Sequence, residues 1–430
     1  MKEELPSGWE RTIFKETVTY KKGKKPKVLT DEEFENSVPY LDIKALEHGE
    51  IRRYADIESS NILDANSIAI VWDGARSGWV AKGVYGSMGS TIAALTPILM
   101  DVDYTHQFLR SQFENLNNNT RGTGIPHVNP DILWNIETPI PPLPEQKRIV
   151  AKLDALFGHL DTLKAKLDRI PELLQNFRQQ VLTQAVTGKL TEEWREGKGL
   201  GEWDQVKMED LTISITDGDH QAPPKVEKGI PFLVISNVND GNLNIDSASR
   251  FVPQDYYDNL KDSRKPQPDD ILYTVTGSIG IPVMVESEKP FTFQRHIAII
   301  RPDKKLVDPK YLHIVLQSEN SLSQAKEVAT GTAQVTIPLR GLRNYNIPYP
   351  GIQEQKEIIN RVHAIFKVAD SIESQYLPLK VKIDNLPQAI LNKAFKGELV
   401  PQDPNDEPAS VLLERIKEEK EATKKRGGKS

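Results

Sequence analysis

The sequence contains no cysteine, which excludes disulfides, thiolate zinc sites and a cysteine nucleophile together. It has no apolar run approaching the ~18 residues of a membrane span. Its start, MKEELPSGWE, carries no apolar segment of a secretory signal. The expectation is a cytoplasmic protein with no membrane role. Positive charge is not in excess either: the formal net charge is −6, so nucleic acid would have to be met by a local basic face, not by the whole surface. One such cluster exists, where Lys15, Lys21, Lys22, Lys24, Lys25 and Lys27 face a single acid, Glu16. The bland alternative for a charge run is solvated surface.

Catalytic signatures are also missing. No GxxxxGK[ST] loop is present for ATP. A methyltransferase needs a glycine-rich cofactor loop and an Asp/Asn-Pro-Pro-aromatic tetrapeptide, and the pairs Pro141-Pro142 and Pro223-Pro224 have other neighbours. The histidines show no HxxxH or HExxH spacing, so no metal site is expected. Gly83, Gly86 and Gly89 read as turn glycines. Pro130-Asp131 followed by Glu145-Gln146-Lys147 imitates a metal-dependent nuclease, but the repeat described next replaces Pro130-Asp131 with Leu339-Arg340.

What the chain does have is an internal repeat, with length for two to four domains. Glu145-Gln146-Lys147 recurs as Glu354-Gln355-Lys356, an offset of 209 that also carries Gly122-Thr123 to Gly331-Thr332 and Gly188-Lys189-Leu190 to Gly397-Glu398-Leu399. Upstream the offset drifts: Trp9 matches Trp203, Val38–Leu41 matches Ile230–Leu233, and Gly78 matches Gly280. One part of the unit keeps its length and the other has diverged.

The fixed part is helical. Ile149, Leu153, Leu156, Leu160, Leu163, Leu167, Ile170, Leu174, Phe177 and Val181 alternate steps of four and three, as do Ile358, Val362, Ile365, Ala369, Ile372, Tyr376, Leu379, Ile383, Leu386 and Ile390. Sustained a/d heptads predict coiled-coil packing, and an insertion would rotate the apolar seam off its partner. Antiparallel pairing within the chain and a parallel homodimer are both open. Pro171, Pro378 and Pro387 should kink or restart the helices, and Phe157 and Phe366 should be core. The stretch Ile149–Val181 would span about 48 Å at ~1.5 Å per residue.

The diverged parts read as α/β, with strands at 67–72, 230–235, 270–275 and 296–301 and connecting loops at 59–66 and 237–244. The division is 1–140 and 196–350 for the two globular domains, and 141–195 and 351–430 for the helical regions with a tail. That tail, from about Lys417, should begin as a helix and end disordered.

In this order the motifs resemble the specificity subunits of type I restriction–modification systems. Leu5-Pro6-Ser7-Gly8-Trp9-Glu10 is similar to the opening of a first target-recognition domain. Pro139 to Lys147 looks like the junction to a central spacer, Ala185 to Leu190 like its close, and Thr216-Asp217-Gly218-Asp219-His220 like a loop near the start of such domains. The resemblance implies a non-catalytic scaffold: two α/β (α+β) target-recognition domains alternating with two long coiled-coil spacers. Each domain would read half of a bipartite site on double-stranded DNA, for adenine methylation by two methyltransferase subunits; two restriction/translocation subunits would join the full complex. S-adenosylmethionine, ATP and Mg would sit on those partners. Half-sites one turn apart are ~34 Å apart, within the reach of the helices, which would act as a ruler. The competing readings are a coiled-coil adaptor that does not read DNA and a subunit serving a methylation-only complex.

Candidate DNA contacts are three groups. The loops near Gly23 and Gly218 fall at matching distances after Trp9 and Trp203 and carry Lys21, Lys22, Lys24, Lys25 and Lys27 in one copy, Asp217, Gly218, His220 and Gln221 in the other. Lysines would neutralise phosphates; His and Gln can read base edges. A second pair follows predicted strands: Arg76 and Ser77, then Thr276 and Ser278. Arg295 is a third choice. For partner docking and helix pairing the candidates are Glu145, Gln146, Lys147, Leu153, Leu156, Leu160, Leu163 and Leu167, with Glu354, Gln355, Lys356, Val362, Ile365, Ile372 and Leu379.

Overall fold

The computed structural model describes residues 4–122, 124–218, 223–238, 240–332 and 334–427. It divides into two compact units, residues 1–167 with 379–430, and residues 168–378. The unit boundaries run through the helical regions and not at the ends of the repeat.

In the first unit a four-stranded sheet has the order Val18–Lys22, Ile92–Pro97, Ile68–Val71, Val80–Lys82, all neighbours antiparallel. The central strands Ile68–Val71 and Ile92–Pro97 are rich in fully buried Ile, Ala and Leu, as strands covered on both faces require. Phe14, Phe108, Leu116 and Leu133 close one face. A second sheet of five short strands, among them Ser37–Leu41 and Gly86–Met88, accompanies it. Two-residue strand Ile62–Leu63 belongs to that sheet, so the segment 59–66 is not purely a connecting loop. Glu10–Ile13 pairs with Glu137–Ile140 and brings the start of the domain to the foot of its spacer helix.

The second unit repeats the plan. Thr212–Asp217, Ile297–Pro302, Ile271–Thr274 and Pro282–Met284 form the same four-strand order, and Asp204–Lys207 pairs with Asn346–Tyr349. The accessory sheet is reduced to Phe251–Val252, Ile230–Leu233 and Thr292–Phe293. The predicted strands at 67–72, 230–235, 270–275 and 296–301 therefore sit on observed ones within one or two residues.

The helical regions comprise Leu143–Leu167, Ile170–Val186 and Ile352–Phe395, with Ala409–Gly427 near the C-terminus. Pro171 opens the second of these, a position where its missing N–H costs nothing. Pro378 and Pro387 lie inside one continuous helix and do not restart it. Pairing within each unit is antiparallel. In the first, Leu153 shares a cluster with Leu391 and Ala394 while Lys164 faces Asp384 at 3.5 Å. In the second, Arg178 holds Asp370 at 2.6 Å and Glu373 at 2.9 Å, while Arg361 donates to the Leu190 carbonyl at 2.8 Å. Of the two arrangements the sequence left open, the intrachain antiparallel one is observed in each unit.

The heptad pattern is only half used. Leu153, Leu160, Leu167, Leu174, Val181, Ile358, Val362, Ala369 and Ile383 are buried. Leu163, Phe177, Ile372, Leu379 and Leu386 are exposed, and Leu156, Ile365, Phe157 and Phe366 are half-buried. Two helices in contact cover one stripe on each, so the second seam position of each heptad is left on the surface. The tail is helical through Gly427 and packs on the first unit by Leu412 and Ile416.

Candidate nucleic-acid interface

The Glu-Gln pairs at the starts of the spacer helices are buried in both copies, with Glu145, Gln146, Glu354 and Gln355 each at most 2% exposed. They brace the junction from within, and Lys147 and Lys356 are the exposed members. Gln146 accepts from the Asp101 amide at 2.9 Å and donates to the Pro141 carbonyl at 3.0 Å. Gln355 does the same with Asp308 and Pro350, at 2.8 and 2.9 Å. Asp101 and Asp308 cap the helices Val102–Ser111 and Pro309–Leu316, so one amide fixes where the spacer leaves the sheet domain. Glu354 accepts from Thr191 at 2.7 Å, Arg195 at 3.0 Å and Trp203 at 3.0 Å. Glu145 has Gln402 at 3.2 Å, and burial pushes its carboxyl above the ordinary range.

The two predicted glycine loops occupy equivalent places. Gly23 and Gly218 each end the first strand of the main sheet, where a Cβ would come within 2.1 Å of the Gly89 carbonyl or 2.3 Å of the Phe293 carbonyl. Only glycine fits there, and Gly218 itself is packed and not a surface contact. His220 and Gln221 lie outside the described residues. Lys21 and Lys22 belong to the strand Val18–Lys22, not to a loop, and with Lys24, Lys25 and Lys27 they are exposed.

Beside each glycine stands a second loop pair. Asp73 and Thr276 follow their strands, and each bridges to a loop closed by paired backbone: Arg121 with His127, Thr330 with Thr336. The closure is tight, at 2.8–2.9 Å in the first copy and 2.8 Å in the second. The Gly74 amide donates to Pro126 at 2.8 Å, and the Gly277 amide to Val335 at 3.1 Å. Gly122 and Gly331 sit at φ of 102° and 96°, where a Cβ would meet the Ile125 or Gln334 carbonyl at 2.6 or 2.5 Å. Backbone polar groups spent this way leave a rigid platform with side chains as the variable part.

Those side chains differ between the copies. In the first, Asp73 stands between His127 Nδ1 at 2.6 Å and Lys22 Nζ at 3.4 Å. Lys22 also lies 5.7 Å from the Trp72 ring, which packs with half-exposed Tyr20 at 5.1 Å and with Trp134 at 6.3 Å. Arg121 pairs with Asp131. In the second, a cleft of about 280 Å³ is lined by Asp217, Thr276, Arg295, His296, Gln334 and Thr336 among others, with Thr336 and Thr276 hydroxyls 3.3 Å apart. Burial, then the neighbouring Arg295, holds the His296 imidazole below its ordinary range.

Of the predicted contacts, Ser278 and Arg295 are exposed. Arg76 is exposed but its guanidinium is held by Glu47 at 2.6 Å. Ser77 is fully buried and its hydroxyl is spent on the Gly74 and Pro126 carbonyls at 2.6 and 3.1 Å; Thr276 is 6% exposed and faces Thr336. Both stabilise the loops from beneath. The sequence reading missed Arg121, His127, Gln334 and Thr336. Their signal was the recurrence of Gly122-Thr123 as Gly331-Thr332, a turn whose flanking side chains change while its register stays. Among the described residues no group of acids and histidines could hold a metal ion, and no helix is long and apolar enough to cross a membrane.

Comparison with known proteins agrees in family. The profile described as "Type I restriction modification DNA specificity domain" matches residues 6–172 and 201–381. The chain is similar to the type I restriction enzyme EcoBI specificity subunit of Escherichia coli, 34% identical over 73% of this chain and 70% of that one. It also resembles the MjaVIII specificity subunit of Methanocaldococcus jannaschii, 27% identical over 92% and 94%. In fold it is like the crystal structure of the HsdS subunit from Thermoanaerobacter tengcongensis, with a TM-score of 0.60, 20% identity, and 92% of this chain and 99% of that one covered. With both of its repeats matched, the chain belongs to the family of type I restriction–modification DNA specificity subunits.

Proposed function

We propose that this chain selects the DNA for a type I restriction–modification complex, each recognition domain reading one half of a bipartite site. The observation that carries the reading is the pair of equivalent loop platforms: the same backbone, built twice over Asp73 and Thr276, presents Lys22 and His127 in one copy and Gln334 and Thr336 in the other. Two different half-sites ask for that combination, because phosphate contacts and docking geometry are shared while base contacts must differ. The exposed lysines of the first domain supply the sequence-independent attraction.

The spacer helices set the unread gap and dock two methyltransferase subunits, which bring S-adenosylmethionine for adenine methylation; restriction subunits bring ATP and Mg in a full complex. The surface that supports docking is the apolar half-seam left open by the helix pairs, Leu163, Leu379 and Leu386 in one unit, Phe177, Val368 and Ile372 in the other. Large apolar side chains left exposed along a helix pair are the chemistry a docking partner would cover. The complex works in the cytoplasm, where the host DNA is.

The test is co-expression with the methyltransferase subunit followed by methylome sequencing. A single bipartite motif, adenine-methylated on both strands across a fixed gap, is the expected result. A stable complex that leaves no such motif would give the adaptor reading the lead.

A further inference from the structure

We propose that His127 and Thr336 are the specificity-determining positions of the two recognition domains, with Asp73 and Thr276 as their positioning residues. The inference rests on the reading that the chain selects DNA sequence.

The two pairs meet at the same place in both copies: residue 73 touches 127, and residue 276 touches 336, through both bridge and side-chain contacts. His127 and Thr336 lie where the repeat keeps its offset of 209, so at that loop the copies differ in chemistry and not in length; Asp73 and Thr276 reach them from the part whose offset drifts. His127 is exposed, with the lysine-bearing edge strand alongside, whereas its Nδ1 is fixed by Asp73 at 2.6 Å.

That contact sets what the ring can read. A carboxylate only accepts, so the hydrogen sits on Nδ1, and we assign Nε2 of this tautomer, on an exposed ring, the role of acceptor. An acceptor in the major groove recognises the exocyclic amino group of adenine or cytosine and is mismatched to the O6 of guanine or O4 of thymine. Thr336 offers a different pattern, a hydroxyl shared with Thr276 and a methyl group, which suits a thymine methyl or a small polar edge. The Nδ1 carboxylate also holds the ring in one rotamer, which a base contact needs if it is to discriminate.

Asp73→Asn tests the tautomer directly. Lys22 Nζ, 3.4 Å from one carboxylate oxygen, can face only the amide oxygen. The amide nitrogen is then turned to His127 Nδ1, which must accept, and Nε2 becomes the donor. The expected methylome of D73N changes one position of one half-site from adenine or cytosine to guanine or thymine, with the gap and the other half-site unchanged. His127→Ala should relax that same position, lowering discrimination there by about 5- to 150-fold, while binding to non-specific DNA and its salt slope stay as in the wild type. Thr336→Val should alter only the opposite half-site, which serves as an internal check that each domain is folded. If H127A leaves the motif intact, or if H127A and D73N weaken every position equally, the assignment is overturned. If the wild-type complex itself writes no bipartite motif, the underlying reading fails independently of these residues.

Discussion

Glutamine in place of Glu354 should destabilise the second unit far more than glutamine in place of Glu145 affects the first, although the two are twins in the repeat. Glu354 is 2% exposed and receives three donors, Thr191, Arg195 and Trp203, all within 3.0 Å. An amide oxygen can serve two of them at most, and its NH2 must face the third. Removing one partner of a buried ion pair costs ~3–5 kcal/mol. Because Arg195 keeps some solvent access and Gln keeps one acceptor, about 3 kcal/mol is the fair figure. For a unit of this size that corresponds to a fall of about 6–12 °C in its melting transition. Glu145 is loaded differently: burial raises its carboxyl above the ordinary value and outweighs Gln402, Trp9 and Arg148, which pull it down. A group whose folded value is raised contributes fully below the unfolded value and loses that contribution as pH rises through the folded one. Glu145→Gln, neutral throughout, should therefore be harmless or mildly stabilising at pH 7, and its advantage over the wild type should shrink toward pH 4. Differential scanning calorimetry of the full chain between pH 4 and 8, with hydrogen exchange at 190–203 and 352–360, reads both effects. Equal losses in the two variants would refute the claim that the copies use this carboxylate differently.

Phe177→Asp with Ile372→Asp should cost no more than about 1–3 kcal/mol of stability, since each side chain is only partly covered, and leave the chain folded, yet weaken capture of the methyltransferase subunit in a pull-down; retained capture would move docking elsewhere. Alanine at Lys21, Lys24 and Lys25 together should reduce the slope of log affinity against log salt by about 2.7, or ~0.9 per phosphate contact, at every DNA sequence alike; an unchanged slope removes that edge from the interface. His106 is held neutral by burial, its value lowered to about 4. Its contribution to the first unit is present above its unfolded value and lost as pH falls from ~6.5 toward 4, and His106→Gln should flatten that part of the acid-unfolding curve.

Much of the architecture was written in one dimension. The offset of 209 that carries Glu145 to Glu354 also carries the Arg121–His127 closure to Thr330–Thr336, and repeated sequence gave repeated strand order because the same buried Ile and Val positions recur. Periodicity announced the helices but not how much of each seam is covered. A heptad states that two stripes are apolar; whether Leu163 or Ile372 is buried depends on the number of helices that meet there. Glu145 and Gln146 looked like surface signals beside a helix start, and their burial could not be read from residue type, because it depends on Asp101 and Gln402, distant in sequence.

By itself the sequence determined the family, the duplication, the spacer helices and four of the strands, since all of these follow from local pattern and residue identity. Tertiary structure alone decided that the spacer helices pair antiparallel within each unit, that Ser77 supports a loop from below, and that His127 meets Asp73 while Thr336 meets Thr276. The physical reason is common to all three. Contacts between residues far apart in the chain depend on how backbone hydrogen bonds close loops onto a sheet, and no short window of sequence contains both partners.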